Sequence, residues 1–288
     1  MSCRSRPRSD GFTLIEMIMV IVITGILAGA VAVFITKPVE GYADSVRRAE
    51  LTDAAEVALR RMTRDVRLAL PNSLRTVANG FEFVMTKSGG RYRDESDGST
   101  CGNFLYTTDI NCPLPFVTAS ENDFDVLGPM PTITGGDRIV VYNLGAGYAP
   151  ADVYSGGNVA RVFGAVAIPT NRVPMVGNPF AAQSPRLPSP SSRFQVVRSV
   201  DLVVRYTCNG GVLTRFAGCS LATPSVCAGA GAVLAGSATT EPKASCTIDY
   251  TSSATGRSGL LLVTLTLTDT PSGESVSLFQ QIHVDNAP

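Results

Sequence analysis

The first strong pattern in the chain is a long apolar run from Phe12 to Ile35, in which Glu16 is the only charge. As a helix rising about 1.5 Å per residue, this run spans about 36 Å, enough to cross a hydrocarbon core of about 30 Å. Pro38 and Gly41 interrupt the pattern, and a second helical segment is expected after them, capped by Asp44 or Ser45 and ended by Pro71. In it Leu51, Ala55, Ala58, Met62, Val66 and Ala69 recur at steps of three and four, which places them on one stripe. Charges fill the other faces, with Asp44–Arg48, Glu56–Arg60 and Arg61–Asp65 at i,i+4 spacing. From residue 72 the period changes. Strands are expected at Phe81–Met85, Arg138–Leu144, Arg161–Ile168, Phe194–Tyr206 and Val212–Phe216. The clearest pair is Leu260–Thr268 and Ser275–Val284, joined by a turn at Pro271-Ser272-Gly273, with Val276, Leu278, Gln280, Ile282 and Val284 on one face. Residues 86–125, 170–193 and 217–258 read as surface loops. The expected fold class is α+β, a long N-terminal helix packed on an antiparallel sheet.

Composition narrows the function classes. The 24 basic and 24 acidic residues of the 288 balance, so no nucleic-acid partner is expected. Charged residues are only 17% of the chain, which fits a membrane or exported protein. Of seven cysteines, Cys3 lies ahead of the apolar run. The other six, Cys101, Cys112, Cys208, Cys219, Cys227 and Cys246, form an even set suited to disulfides in an oxidising compartment. Cys101–Cys112 is the expected pair within one loop, and the remaining four allow three pairings. No Cys-x-x-Cys is present and His283 is the single histidine, so no metal site is expected. Asp94, Glu95 and Asp97, and also Glu121, Asp123 and Asp125, read as solvated loop acids, since neither set has a calcium-loop spacing. No nucleotide-binding, zinc-protease or serine-hydrolase motif occurs, so neither catalytic residues nor a cofactor are expected.

Glu16 carries the functional signal. A carboxylate in a membrane helix is costly and usually has a partner. The basic flank Arg4, Arg6 and Arg8 directs the N-terminus to the cytoplasm and the C-terminal bulk to the periplasm. The apolar run starts abruptly after Gly11 and is longer than the core of an ordinary secretory signal. Cleavage between Gly11 and Phe12 would create a cationic amine at Phe12. A neighbouring copy's Glu16 would pair with it strongly in a low-dielectric setting. Gly25 and Gly29 form a Gly-x-x-x-Gly pair, a pattern for close helix approach that is also tolerated without such a role.

Gly11-Phe12-Thr13-Leu14-Ile15-Glu16 resembles the processing motif of type IV prepilins and type II secretion pseudopilins. The resemblance implies cleavage after Gly11 by a prepilin peptidase, N-methylation of Phe12 by the same peptidase/methyltransferase, and docking guided by Glu16. It also implies four segments: a removed leader 1–11, a transmembrane half 12–36, an amphipathic half 37–71 and a β-rich head 72–288. The expected partners are inner-membrane lipid, the pilus assembly platform and other minor and major pilins. The stretch from Pro38 to Ser73, with Arg64-Asp65-Val66-Arg67 near its end, is similar to the O-component minor pilins of the mannose-sensitive haemagglutinin (MSHA) type pilus. That helix ending is also similar to J-type minor pseudopilins. The functions expected are a minor pilin of an MSHA-type pilus or a type II secretion pseudopilin. A pilus-borne adhesin or DNA-uptake module is a third.

Overall fold

The computed structural model describes residues 11–95, 112–164, 171–200, 202–252 and 258–288. Contacts divide the chain into two units, one ending at Glu50 and one from Leu51 to Pro288. Helix α1 runs without a break from Leu14 to Val66. The expected restart after Pro38 and Gly41 is therefore corrected. Proline removes one backbone donor, and the helix-compatible residues on both sides carry the helix through it. Ser45, expected as a cap, instead donates its hydroxyl to the Gly41 carbonyl at 2.8 Å inside the helix. Asp44 receives Arg47, and Glu56 pairs with Arg60.

Helix α1 also stops earlier than Pro71. Leu68 and Ala69 donate to the Asp65 and Val66 carbonyls, three residues back. The chain is then captured by a strand: the Leu70 N–H donates to the Val84 carbonyl at 2.7 Å, and Ala69 bridges Met85. Sheet pairing ends the helix before proline chemistry needs to.

In the second unit, β1 (Arg75–Val77), β2 (Gly80–Val84), β9 (Val203–Asn209), β10 (Val212–Cys219) and β11 (Ala232–Gly236) form a five-stranded sheet in the order β1-β2-β9-β10-β11. A second sheet holds β12 (Lys243–Ser252), β13 (Ser258–Asp269) and β14 (Glu274–Asp285) in sequence order. Alternation on β14 is as the sequence indicates: Ile282 and Val284 are buried, and His283 between them is exposed. Leu51, Ala55, Ala58, Met62 and Val66 of α1 pack with Phe81, Tyr206, Leu213, Leu261 and Leu265 in one core. The predicted helix stripe is this interface. Phe81 stacks on Tyr206 with ring centroids 5.1 Å apart.

The sequence reading missed a barrel. Strands β3 (Thr86–Tyr92), β4 (Asp123–Leu127), β5 (Arg138–Val141), β6 (Val159–Val162), β7 (Arg172–Val176) and β8 (Arg193–Val197) close in the order β3-β4-β7-β6-β5-β8. It lies in the chain between β2 and β9, which pair directly with Phe81 opposite Tyr206 and Val84 opposite Val203. Its first and last strands also pair, Thr86 opposite Val197. The barrel is therefore an insertion between two adjacent strands of the five-stranded sheet. Its interior is filled by Phe124, Ile139, Val173, Phe194 and Val196, with Phe124 and Phe194 edge to face at 5.3 Å. Val140 and Val197 face outward and join Leu70, Val84 and Val203 in a third core cluster.

Several expectations change accordingly. The three predicted surface loops contain β3 and β4, then β7, then β11 and β12. The single strand expected over Phe194–Tyr206 is two, β8 and β9, which belong to different sheets. Residues 165–168 of the strand expected at Arg161–Ile168 lie outside the described residues.

Candidate processing and assembly site

The first turn of α1 is built by a short polar reciprocity. Thr13 precedes the helix as its cap. The Glu16 N–H donates to Thr13 Oγ1 at 3.3 Å, and the Thr13 N–H donates to Glu16 Oε2 at 3.4 Å. This is a capping box, which satisfies two amides that a helix start leaves without partners. The carboxylate also sits at the positive end of the helix dipole. The signal was present in the sequence as Thr-x-x-Glu, yet Thr13 was not singled out.

Around this turn every group is open. Phe12 is 82% exposed, and a Cβ built on Gly11 would meet nothing within 4 Å. Among the described residues, the Gly11–Phe12 peptide thus stands clear of the rest of the chain. Gly25 and Gly29 are equally open. The large apolar side chains from Leu14 to Ile35 are all exposed in the single chain.

Charge is handled differently in the second unit. Asp65, read as an exposed partner of Arg61, is buried. Its Oδ2 accepts from Tyr206 at 2.8 Å and from Arg215 Nε at 2.6 Å. The helix turns this carboxylate onto the sheet, where β9 and β10 supply a hydroxyl and a guanidinium. Burial and the Asp65 charge push the Tyr206 hydroxyl up. Burial acts to lower Arg215, but the hydrogen bond and charge of Asp65 outweigh it and hold the guanidinium above its ordinary value.

The loop acids also need correction. Asp123 is fully buried on β4, and burial raises its carboxyl although Arg172 opposes this. Arg172 Nη1 lies 3.8 Å from Asp123, and Arg172 Nε donates to Asp125 at 3.0 Å. Pairing of β4 with β7 sets Arg172 opposite Asp125. Glu95 accepts the Phe116 N–H, and Asp97 lies outside the described residues. Among the described residues no group of His, Cys, Asp and Glu is placed to hold a metal ion.

Of the three pairings open to four cysteines, the fold selects Cys208–Cys246 and Cys219–Cys227. The first joins the five-stranded sheet to β12; the second closes a short loop after β10. Cys112 is buried and disulfide-bonded, and Cys101 lies outside the described residues.

A family model described as the prokaryotic N-terminal methylation motif matches residues 6–32. No curated protein and no solved structure matches the chain. The motif supports a type IV pilin-like identity, with processing by a prepilin peptidase and assembly with other pilins. Together with the apolar helix it fits anchoring in the inner membrane.

Proposed function

We propose that this chain is a minor pilin of an MSHA-type type IV pilus, related to its O component, and that it assists the start of filament assembly. The observation that carries the reading is an exposed Gly11–Glu16 motif at the head of a helix whose large apolar side chains, from Leu14 to Ile35, are exposed among the described residues. In this reading residues 1–11 are removed and Phe12 becomes the methylated N-terminus. Residues 12–36 hold the subunit in the membrane, and 37–71 continue as the amphipathic half. The head, 72–288, stands in the periplasm and then on the pilus. The inserted barrel makes that head large, which favours a low-copy position near a tip over the repeating subunit.

Glu16 then has two successive partners. In the free chain it holds the Thr13 cap. In the filament it exchanges this long contact for the Phe12 amine of a neighbour. Exchange is favourable because the capping distances are long and the new partner carries a full charge in a low-dielectric setting. Mass spectrometry of the chain from membranes tests the reading: a mature N-terminus of N-methyl-Phe12 is expected, and an intact leader would refute it. Glu16→Gln should cut incorporation into pili by tenfold or more without changing the amount of processed protein.

A J-type pseudopilin is the second reading, favoured by the Arg64-Asp65-Val66-Arg67 helix ending. Deletion separates the two. Loss of surface pili with normal secretion supports the pilus, and loss of secretion with normal pili supports the pseudopilin.

A further inference from the structure

The face of the five-stranded sheet opposite the α1 stripe carries a charged row. Arg75, Glu82, Arg205 and Phe216 are register partners across β1, β2, β9 and β10. The Glu82 side chain is 2% exposed, and its Oε1 accepts from Arg75 Nε at 2.8 Å. The Arg75 guanidinium also stacks 3.7 Å from the Tyr154 ring centre. Arg205 is less well served. Its Nη1 is 3.9 Å from Glu82 Oε2, beyond hydrogen-bond reach, and its Nε is buried without a hydrogen-bond partner. Two guanidinium groups thus share one carboxylate, and the row keeps a surplus positive charge.

That surplus borders a cavity of about 390 Å³. Its lining includes Arg205, Asn79, Thr207, Asn209, Phe216 and Ser225, and no lining residue is acidic. The chemistry is one cation, one aromatic wall and several neutral groups that both donate and accept hydrogen bonds. The volume falls within the range of small-molecule sites. Cys227, held by the Cys219–Cys227 disulfide, is also among the lining residues.

We propose that this cavity binds an acidic sugar of the uronate type. Its carboxylate meets the Arg205 guanidinium, whose planar fork matches a carboxylate. The apolar face of the sugar ring lies against Phe216. Its hydroxyls exchange hydrogen bonds with Asn79, Thr207, Asn209 and Ser225. Neutral amides and hydroxyls in this number favour a polyhydroxylated ligand over a peptide terminus. The inference stands on the head alone and does not depend on which filament the chain serves.

The test is calorimetric titration of the full chain in detergent micelles with D-glucuronate, D-glucose and inorganic phosphate. Glucuronate is expected to bind at millimolar concentration, and glucose and phosphate at least about tenfold more weakly. Arg205→Gln should weaken glucuronate by about tenfold. Arg205→Gln also strips a cross-strand partner from Glu82, so Asn209→Asp serves as the second variant. Residue 209 is exposed, and an added like charge there should weaken glucuronate with no change in thermal melting. Absence of glucuronate binding, equal binding of glucose or phosphate, or indifference of both variants would overturn the proposal.

Discussion

Two stretches of the same helix treat apolar side chains in opposite ways. From Leu14 to Ile35 the large apolar residues are exposed on every side of α1. From Leu51 to Val66 the stripe residues Leu51, Ala55, Ala58, Met62 and Val66 are at most 6% exposed, while Glu56, Arg60 and Arg64 occupy other faces. The first stretch is apolar all round with Glu16 as its single charge, whereas the second confines its apolar side chains to one stripe and carries charges on its other faces. A stripe can be covered by one sheet of the same chain. An apolar surface on all sides needs a surrounding medium, and lipid or the helices of other subunits supply one.

The contrast can be broken at Asp65, where the buried part of the helix makes a charged contact with Arg215 of the sheet. Asp65→Asn leaves the half-buried Arg215 without its counter-charge, with an expected loss of about 3 kcal/mol in chemical denaturation. Met62→Ala, at a fully buried position, should cost about 2–5 kcal/mol in the same assay, whereas Val31→Ala should stay within about 0.5 kcal/mol. Equal effects at Met62 and Val31 would erase the distinction. The disulfides sharpen it inside the head. Removing Cys208–Cys246, whose cysteines are 38 residues apart, should cost about 4 kcal/mol in the chain-entropy view, against about 2.5 kcal/mol for Cys219–Cys227, 8 apart.

The smallest effect expected is a pH response. Burial tends to raise the Asp137 carboxyl, but hydrogen bonds from Lys87 and Thr134 overcome this and hold it below its ordinary value of 3.8. A depressed folded-state value means that the group stabilises the fold above 3.8 and loses this as pH falls through the lower folded value. Asp137→Asn should therefore flatten part of the acid-side drop in the urea midpoint. A wild-type midpoint that rises on acidification in that window would contradict the assignment.

Legibility followed how local each cause is. The stripe from Leu51 to Val66 and the β13–β14 hairpin were plain, because both rest on a repeat within one segment and, for the hairpin, a short turn. Strand β3, Thr-Lys-Ser-Gly-Gly-Arg-Tyr, has no such repeat; its pairing with β4 and β8 makes it a strand. Strand β4 was hidden by its own acids. Asp123 and Asp125 look like loop residues until β7 brings Arg172 across to them. At the candidate site the Gly11–Glu16 motif was legible because six adjacent residues carry the pattern, and the matched methylation-motif model spans it. The capping role of Thr13 was equally local and was overlooked beside the stronger signal of a charge in a membrane helix.

By itself the sequence determined an apolar span with one acid near its start, a helix with a single buried stripe and a β-rich remainder. Each of these depends on neighbours along the chain. Only the tertiary structure decided that Asp65 turns inward, that a six-stranded barrel is set between β2 and β9, and which of the four cysteines Cys208, Cys219, Cys227 and Cys246 meet. These depend on groups far apart in sequence. Their pairing depends on strand register, which a one-dimensional pattern specifies only weakly when polar and glycine residues occupy the strands.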